Sequence, residues 1–146
     1  MQKNASFTLA TLLFFLLTLL PAHALAQRIP ASLAQYRWIL TEIRDGKGTS
    51  AITNDHAYLE FDARAKRAFG KGGCNNFSMS ASTKGRRITF KAGMSTEMYC
   101  ENTMWIEDRF LPGLETMKVY EIQNDRLLLK NPQSGHQMTF IRRTKS

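Results

Sequence analysis

Gly70-Lys71-Gly72-Gly73-Cys74-Asn75-Asn76-Phe77 brings three glycines and one of only two cysteines of a 146-residue chain into eight consecutive positions. The other cysteine closes Ser95-Thr96-Glu97-Met98-Tyr99-Cys100. A bond between Cys74 and Cys100 would fix the centre of the fold and mark the surface around it as the first candidate for function. Glycines so placed signal a bulge or a close backbone approach. Arg67 to Phe77 is therefore expected to be extended only in part, without a regular interior strand.

Working outward, Phe77 to Ala81 alternates large and small residues and can pair with Arg87 to Lys91 across a turn at Lys84-Gly85. Upstream, Tyr36-Arg37-Trp38-Ile39-Leu40-Thr41-Glu42-Ile43 reads as a strand with Trp38 and Leu40 on one face and Ile39, Thr41 and Ile43 on the other. Asp45-Gly46-Lys47-Gly48 breaks it. A polar loop then leads to a second strand, Ala57 to Phe61, and a charged turn over Asp62 to Lys66. Downstream of Cys100, Met104, Trp105, Ile106, Phe110, Leu111 and Leu114 have helical spacing, with Asn102 as the cap and Pro112-Gly113 as the kink or end. Three strands finish the chain, at Lys118 to Gln123, Arg126 to Lys130 and Gln137 to Arg142. The expected fold is α+β, a curled, barrel-like antiparallel sheet of about eight short strands with one α-helix packed over it.

Length and composition fit one domain. Lys3 precedes an uncharged run, Phe7 to Leu20, followed by Pro21 and the small-x-small patterns Ala22-His23-Ala24 and Ala24-Leu25-Ala26. This predicts a signal peptide over residues 1–26, cleaved after Ala26, a leader over 27–35 and a domain over 36–143. The product is expected to be periplasmic or secreted, monomeric, and peripheral at most to a membrane. Cleavage removes Lys3 and leaves nineteen basic residues against twelve acidic ones. Export takes nucleic acid away as a partner for that charge. Anionic lipid, anionic glycan or an envelope protein remain, beside a role in solubility alone. Two cysteines in an oxidising compartment favour one disulfide.

The residues resemble the META domain family, which includes the bacterial heat-shock protein HslJ. The resemblance rests on Trp38-x-Leu40, Leu59-x-Phe61, Gly73-Cys74-Asn75 with Phe77, Ser95-Thr96-x-Met98-x-Cys100, and Glu107 with Phe110-Leu111. The tail of short strands through Leu127-x-Leu129 and Phe140 is also similar. Ser78-Met79-Ser80 and Pro112-Gly113 depart from the family's pattern, in the hairpin and the helix. The resemblance implies no established catalytic activity, no cofactor, and a stress-related or envelope-surface role. A secreted inhibitor or secretion accessory that presents a loop to a protein target is the first alternative, and an enzyme of unknown type the second.

Other chemistries each lack a component. A metal site at the cysteines would need more ligands than His56 and His136 supply, and a nucleophilic cysteine would need a neighbouring base. Met94, Met98 and Met104 could ligate copper, but thioether sites are usually denser and methionine fills core gaps. Glu97 with Glu101, or Glu107 with Asp108, are the available carboxylate pairs for hydrolysis, and nothing sets them apart from a solvated helix start. Lys71-Gly72-Gly73-Cys74 lacks phosphate-loop spacing. Arg64, Lys66, Arg67 and Lys71, with Lys84, Arg86, Arg87 and Lys91, are the candidates for a face that takes an anionic partner; a solvated sheet edge is the plainer alternative.

Overall fold

The structure, a computed structural model, describes residues 28–145. The export signal read over residues 1–26 lies outside them. In chain order the elements are α1 (Ala31–Ala34), β1 (Tyr36–Asp45), β2 (Gly48–Ala51), β3 (Ala57–Asp62), β4 (Arg67–Gly72), β5 (Asn76–Lys84), β6 (Arg87–Ser95), α2 (Met104–Thr116), β7 (Val119–Gln123), β8 (Arg126–Asn131) and β9 (His136–Thr144). All strand pairs are antiparallel, in the order β2-β1-β3-β4-β5-β6-β7-β8-β9, and β1 also pairs with β9. That last pairing turns the sheet into a ring, with β2 folded back on β1 outside it.

Alternation puts one residue in two inside the ring. Leu59 and Phe61 of β3, Phe77, Met79 and Ala81 of β5, Ile88 and Phe90 of β6, Leu127 and Leu129 of β8, and Met138 and Phe140 of β9 are all buried. β1 breaks the alternation in an informative way. Strict phase would send Ile43 to the face opposite Leu40, yet both are fully buried. Leu40 pairs with Phe140 and Ile43 with Met138, so three steps on β1 match two on β9. Thr41 is the extra residue of a β-bulge, its hydroxyl donating to Thr139 O at 3.0 Å and its carbonyl accepting from Ile52 N–H at 2.8 Å.

Each end of the barrel is closed by a helix. At one end α1 buries Leu33, and Trp38 Nε1 donates to the Leu33 carbonyl at 3.0 Å. Thr83, at the same end of β5, holds Arg28 O at 2.9 Å. The residues read as a leader thus contribute a buried side chain. At the other end α2 inserts Phe110 between Phe77 and Phe140, with ring centroids 5.7 and 5.9 Å away. Burial of Ile106, Phe110 and Leu114 along one face carries the helix through Pro112 to Thr116, so of the expected kink or end at Pro112-Gly113 the end is not seen. A proline forfeits one backbone bond, and three buried side chains outweigh it. Gly113 lets the helix pass against Met138, whose methyl group a Cβ would overlap.

Other differences from the sequence reading have local causes. The residue before α2 is Thr103 rather than Asn102, and no side chain caps it. The polar loop after β1 contains β2, whose polar Gly48 to Ala51 folds back on β1 from Asp45 opposite Gly48 to Glu42 opposite Ala51, and which Arg109 of α2 also holds at Ser50 and Gly48. β4 is a regular interior strand despite its glycines: Gly70 faces inward where the Tyr58 carbonyl of β3 would meet any Cβ. The ring is thinnest between β6 and β7, where one residue pair, Arg87 with Val119, joins them beside the bonds Ile88 N to Lys118 O and Tyr120 N to Arg86 O, each 3.0 Å.

Candidate functional site

The Gly-Gly-Cys-Asn segment is the corner between β4 and β5, and α2 lies across it. Gly72 and Gly73 pack directly beneath the helix: a Cβ on Gly72 would lie 2.9 Å from Glu107 Cγ, and one on Gly73 2.8 Å from the Thr103 carbonyl. Gly73 also has φ +134°, a conformation that favours glycine. The close approach lets Glu107, 6% exposed, reach the corner. Its Oε2 accepts from the backbone N–H of Asn75 at 2.6 Å and of Cys74 at 3.2 Å, and its Oε1 accepts from Asn75 Nδ2 at 2.8 Å.

Asn75, 1% exposed, is the hub. Its Nδ2 also donates to Met98 O at 2.8 Å, while its Oδ1 accepts from Thr96 Oγ1 at 2.8 Å and Met98 N–H at 2.7 Å. Two acceptors on one side and two donors on the other fix the orientation of the amide. Cys74 and Cys100 are bonded, with Cα atoms 5.6 Å apart. The irregular segment from Thr96 to Thr103 is thus tied down by a disulfide, an asparagine and a buried carboxylate. Of the sequence-derived set, Gly73, Cys74, Asn75, Thr96, Met98, Cys100 and Glu107 converge here. Trp38, Leu40 and Phe77 belong to the core, and Ser95 ends β6 opposite Phe77. The carboxylate pairs do not assemble: Glu107 is occupied by backbone and amide donors, and Asp108, Glu97 and Glu101 are exposed.

A second anchor was missed. Arg109, on α2, forks onto Asp45 at the end of β1, with Nε to Oδ2 and Nη2 to Oδ1 both 2.8 Å. It also donates to Ser50 Oγ at 2.7 Å and Gly48 O at 2.9 Å. The guanidinium, with the Lys47 N–H, holds the Asp45 carboxyl below the usual carboxylate range against the opposing effect of burial. In sequence these are one arginine within the helical stretch and one aspartate at a turn, 64 positions apart.

The basic residues fall on the outer face of β4, β5 and β6. Arg67 pairs with Ser80 and Ser80 with Lys91, giving one row; Lys71 pairs with Asn76 and Lys84 with Arg87 in two more. Arg64 and Lys66 sit on the β3–β4 turn, with Lys66 O bonded to Ala81 N at 2.9 Å. Arg86 is ion-paired with Glu121. Among the described residues the other seven have no carboxylate within ion-pair distance. Residues 63–96 carry eight of the twenty basic residues and none of the twelve acidic ones, so the rest of the chain holds twelve of each and balances. The formal net charge of +8 therefore sits on these three strands and their turns. That gap in the acids was legible in the sequence.

Apolar side chains are exposed on this face and on the segment at its end. Met94 pairs with Ser78, next to Phe69, and is 80% exposed; Met98 and Tyr99, held over Asn75, are 57% and 80% exposed. Between the end of β6 and α2 lies an open cleft of about 550 Å3, lined by Phe77, Met79, Met94, Leu111 and Pro112, with Glu115 as its carboxylate. Among the described residues, no three His, Cys, Asp or Glu side chains gather as a metal would require, and no helix is long and apolar enough to cross a membrane.

Residues 31–145 match the META domain. The chain belongs to the META domain family. No curated protein matches it. The META domain here shares its fold with a protein from Burkholderia xenovorans solved by NMR, at 23% identity and TM-score 0.65 over 78% of this chain and 86% of that one. A second NMR structure, at 19% identity and TM-score 0.56, matches over 77% and 93%. A crystal structure of a DUF4847 family protein from Bacteroides vulgatus, at 10% identity and TM-score 0.55, matches over 78% and 96%. These likenesses show the barrel and its helix. In this META domain, Gly73, Cys74, Asn75, Thr96, Met98, Cys100 and Glu107 of the motif set lash α2 and the 96–103 segment to the β4–β5 corner.

Proposed function

We propose that this META domain is an exported, disulfide-stapled protein of the cell envelope that acts by binding an anionic partner, without catalysis, in a role linked to stress. The observation that carries this reading is the concentration of the chain's net charge on β4, β5 and β6, where seven cations lack an acidic neighbour among the described residues. Coulomb attraction from cations spread over three neighbouring strands favours an extended anion over a small one. The disulfide suits an oxidising compartment, in keeping with the export signal read at residues 1–26. The proposed test is retention on immobilised heparin across a salt series, for the wild type and the triple variant R67Q/K71Q/K91Q. Retention that falls with salt, and falls further in the variant, supports the reading. Equal elution of the two proteins refutes it.

The exposed Met98 and Tyr99 on the disulfide-held segment favour a second reading, a secreted inhibitor or secretion accessory that offers this loop to a protein target. Salt-insensitive, stoichiometric capture of one envelope protein, abolished by Y99S, would support it over the first.

A further inference from the structure

We propose that the anionic partner is a bilayer surface rich in acidic phospholipid, gripped by the basic rows and entered by Met94, Met98 and Tyr99. This rests on the preceding reading of the β4–β5–β6 face as the binding surface. The basic and apolar groups alternate on that face. The row Arg67-Ser80-Lys91 is followed, one pleat along, by Phe69-Ser78-Met94, and then by Lys71-Asn76, with Met98 and Tyr99 beyond on the segment that Asn75 holds.

Small side chains run down the middle of the surface. Ser78, Ser80 and Ser82 of β5 face outward, between the side chains of β4 and those of β6. A soluble polyanion would satisfy the charges and leave the thioethers and the phenol in water. A lipid interface offers phosphates at one depth and acyl chains a few ångströms deeper, which matches charge beside exposed apolar side chains. The apolar groups are also held in place. The segment bearing Met98 and Tyr99 is bonded to the barrel at Cys100 and through both Met98 backbone groups. Little chain entropy is lost when it enters the interface.

The test is co-sedimentation of the full mature protein with vesicles of equal phosphatidylglycerol and phosphatidylcholine, with vesicles of phosphatidylcholine alone, and in parallel with heparin. Three proteins are compared: wild type, R67Q/K71Q/K91Q, and M94S/M98S/Y99S. All six sites are outward-facing on the barrel or its tied segment, and unfolding curves confirm that the variants remain folded. The wild type is expected to partition onto the phosphatidylglycerol vesicles and not onto phosphatidylcholine. Removing three cations should weaken that partition by about a hundredfold, from roughly a fivefold loss for each charge near a lipid surface. The apolar variant should lose about tenfold on vesicles while keeping wild-type affinity for heparin. Heparin binding without vesicle binding would overturn the lipid proposal and leave the anionic face standing. Binding to neither would overturn both, and an apolar variant indistinguishable from wild type on vesicles would overturn the insertion of these side chains.

Discussion

Replacing Asn75 by aspartate changes one atom of the hub and reverses its logic. The Nδ2 group donates to Glu107 Oε1 at 2.8 Å and to Met98 O; in N75D an oxygen faces both acceptors. Two carboxylates at that separation would repel by about 6 kcal/mol at an effective dielectric of 20. The folded variant avoids this by binding one proton that the unfolded chain does not hold. At pH 7 that protonation costs about 4 kcal/mol, from three units above an ordinary carboxyl at 1.36 kcal/mol each, and at pH 5 about 1.5 kcal/mol. Because the folded state then binds one more proton than the unfolded state, its stability falls as pH rises. The difference between N75D and wild type should therefore widen by about 1.4 kcal/mol per pH unit from pH 5 to 7. Urea unfolding at several pH values measures it. N75A, which removes the same hydrogen bonds without adding a charge, should cost about 3 kcal/mol with no added slope. Parallel pH profiles for wild type and N75D would refute the account of Asn75 and Glu107 as a buried donor–acceptor pair.

Three further perturbations test other contacts. Replacing Cys74 and Cys100 together by alanine removes a cross-link spanning 26 positions and should lower stability by about 3 to 4 kcal/mol in equilibrium unfolding, matched by wild type under reductant. D45N breaks the fork from Arg109 and should cost about 1 to 2 kcal/mol at neutral pH. Since the folded carboxyl lies below its ordinary value, that contribution is present above the unfolded value near 4 and is lost as acid titrates the folded group. The D45N and wild-type stability curves should thus converge below about pH 4. Gly93 lies where a Cβ would overlap the Ser78 carbonyl, so G93A should destabilise by about 1 to 3 kcal/mol, whereas G46A, with no neighbour within 4 Å, should stay within about 0.5 kcal/mol in the same assay.

Most of the strands could be read from alternation, and the helix from its apolar spacing, because those patterns are set by the two faces of each element. What escaped depended on partners distant in sequence. Ile43 shares the core with Leu40 only because Thr41 bulges, and the bulge is dictated by β9, nearly a hundred residues away. Pro112 marks a stop in any isolated segment, yet the packing of Phe110 against Phe77 and Phe140 overrides it. At the site, the glycines and Asn75 stood out by type, but that Glu107 closes on them requires the helix to cross the corner. The resemblance placed Glu107 in the motif, and the structure supplies what it does there. Arg109 had no such signal. The even charge balance outside residues 63–96 was open to simple counting.

The pairing of β1 with β9 has a consequence for how such a chain is made. Tyr36 lies opposite Thr144, and eight residue pairs join the first strand of the ring to the last. No barrel can close until the final strand has emerged. A chain threaded through a translocation channel amino terminus first would cross with its ring still open, and would lock only on the far side, where the oxidising milieu can also seal Cys74 to Cys100. The neighbouring ends also permit the domain to be spliced into a loop of another protein, or reconnected head to tail and reopened at the Gly85 turn, with the same ring re-forming.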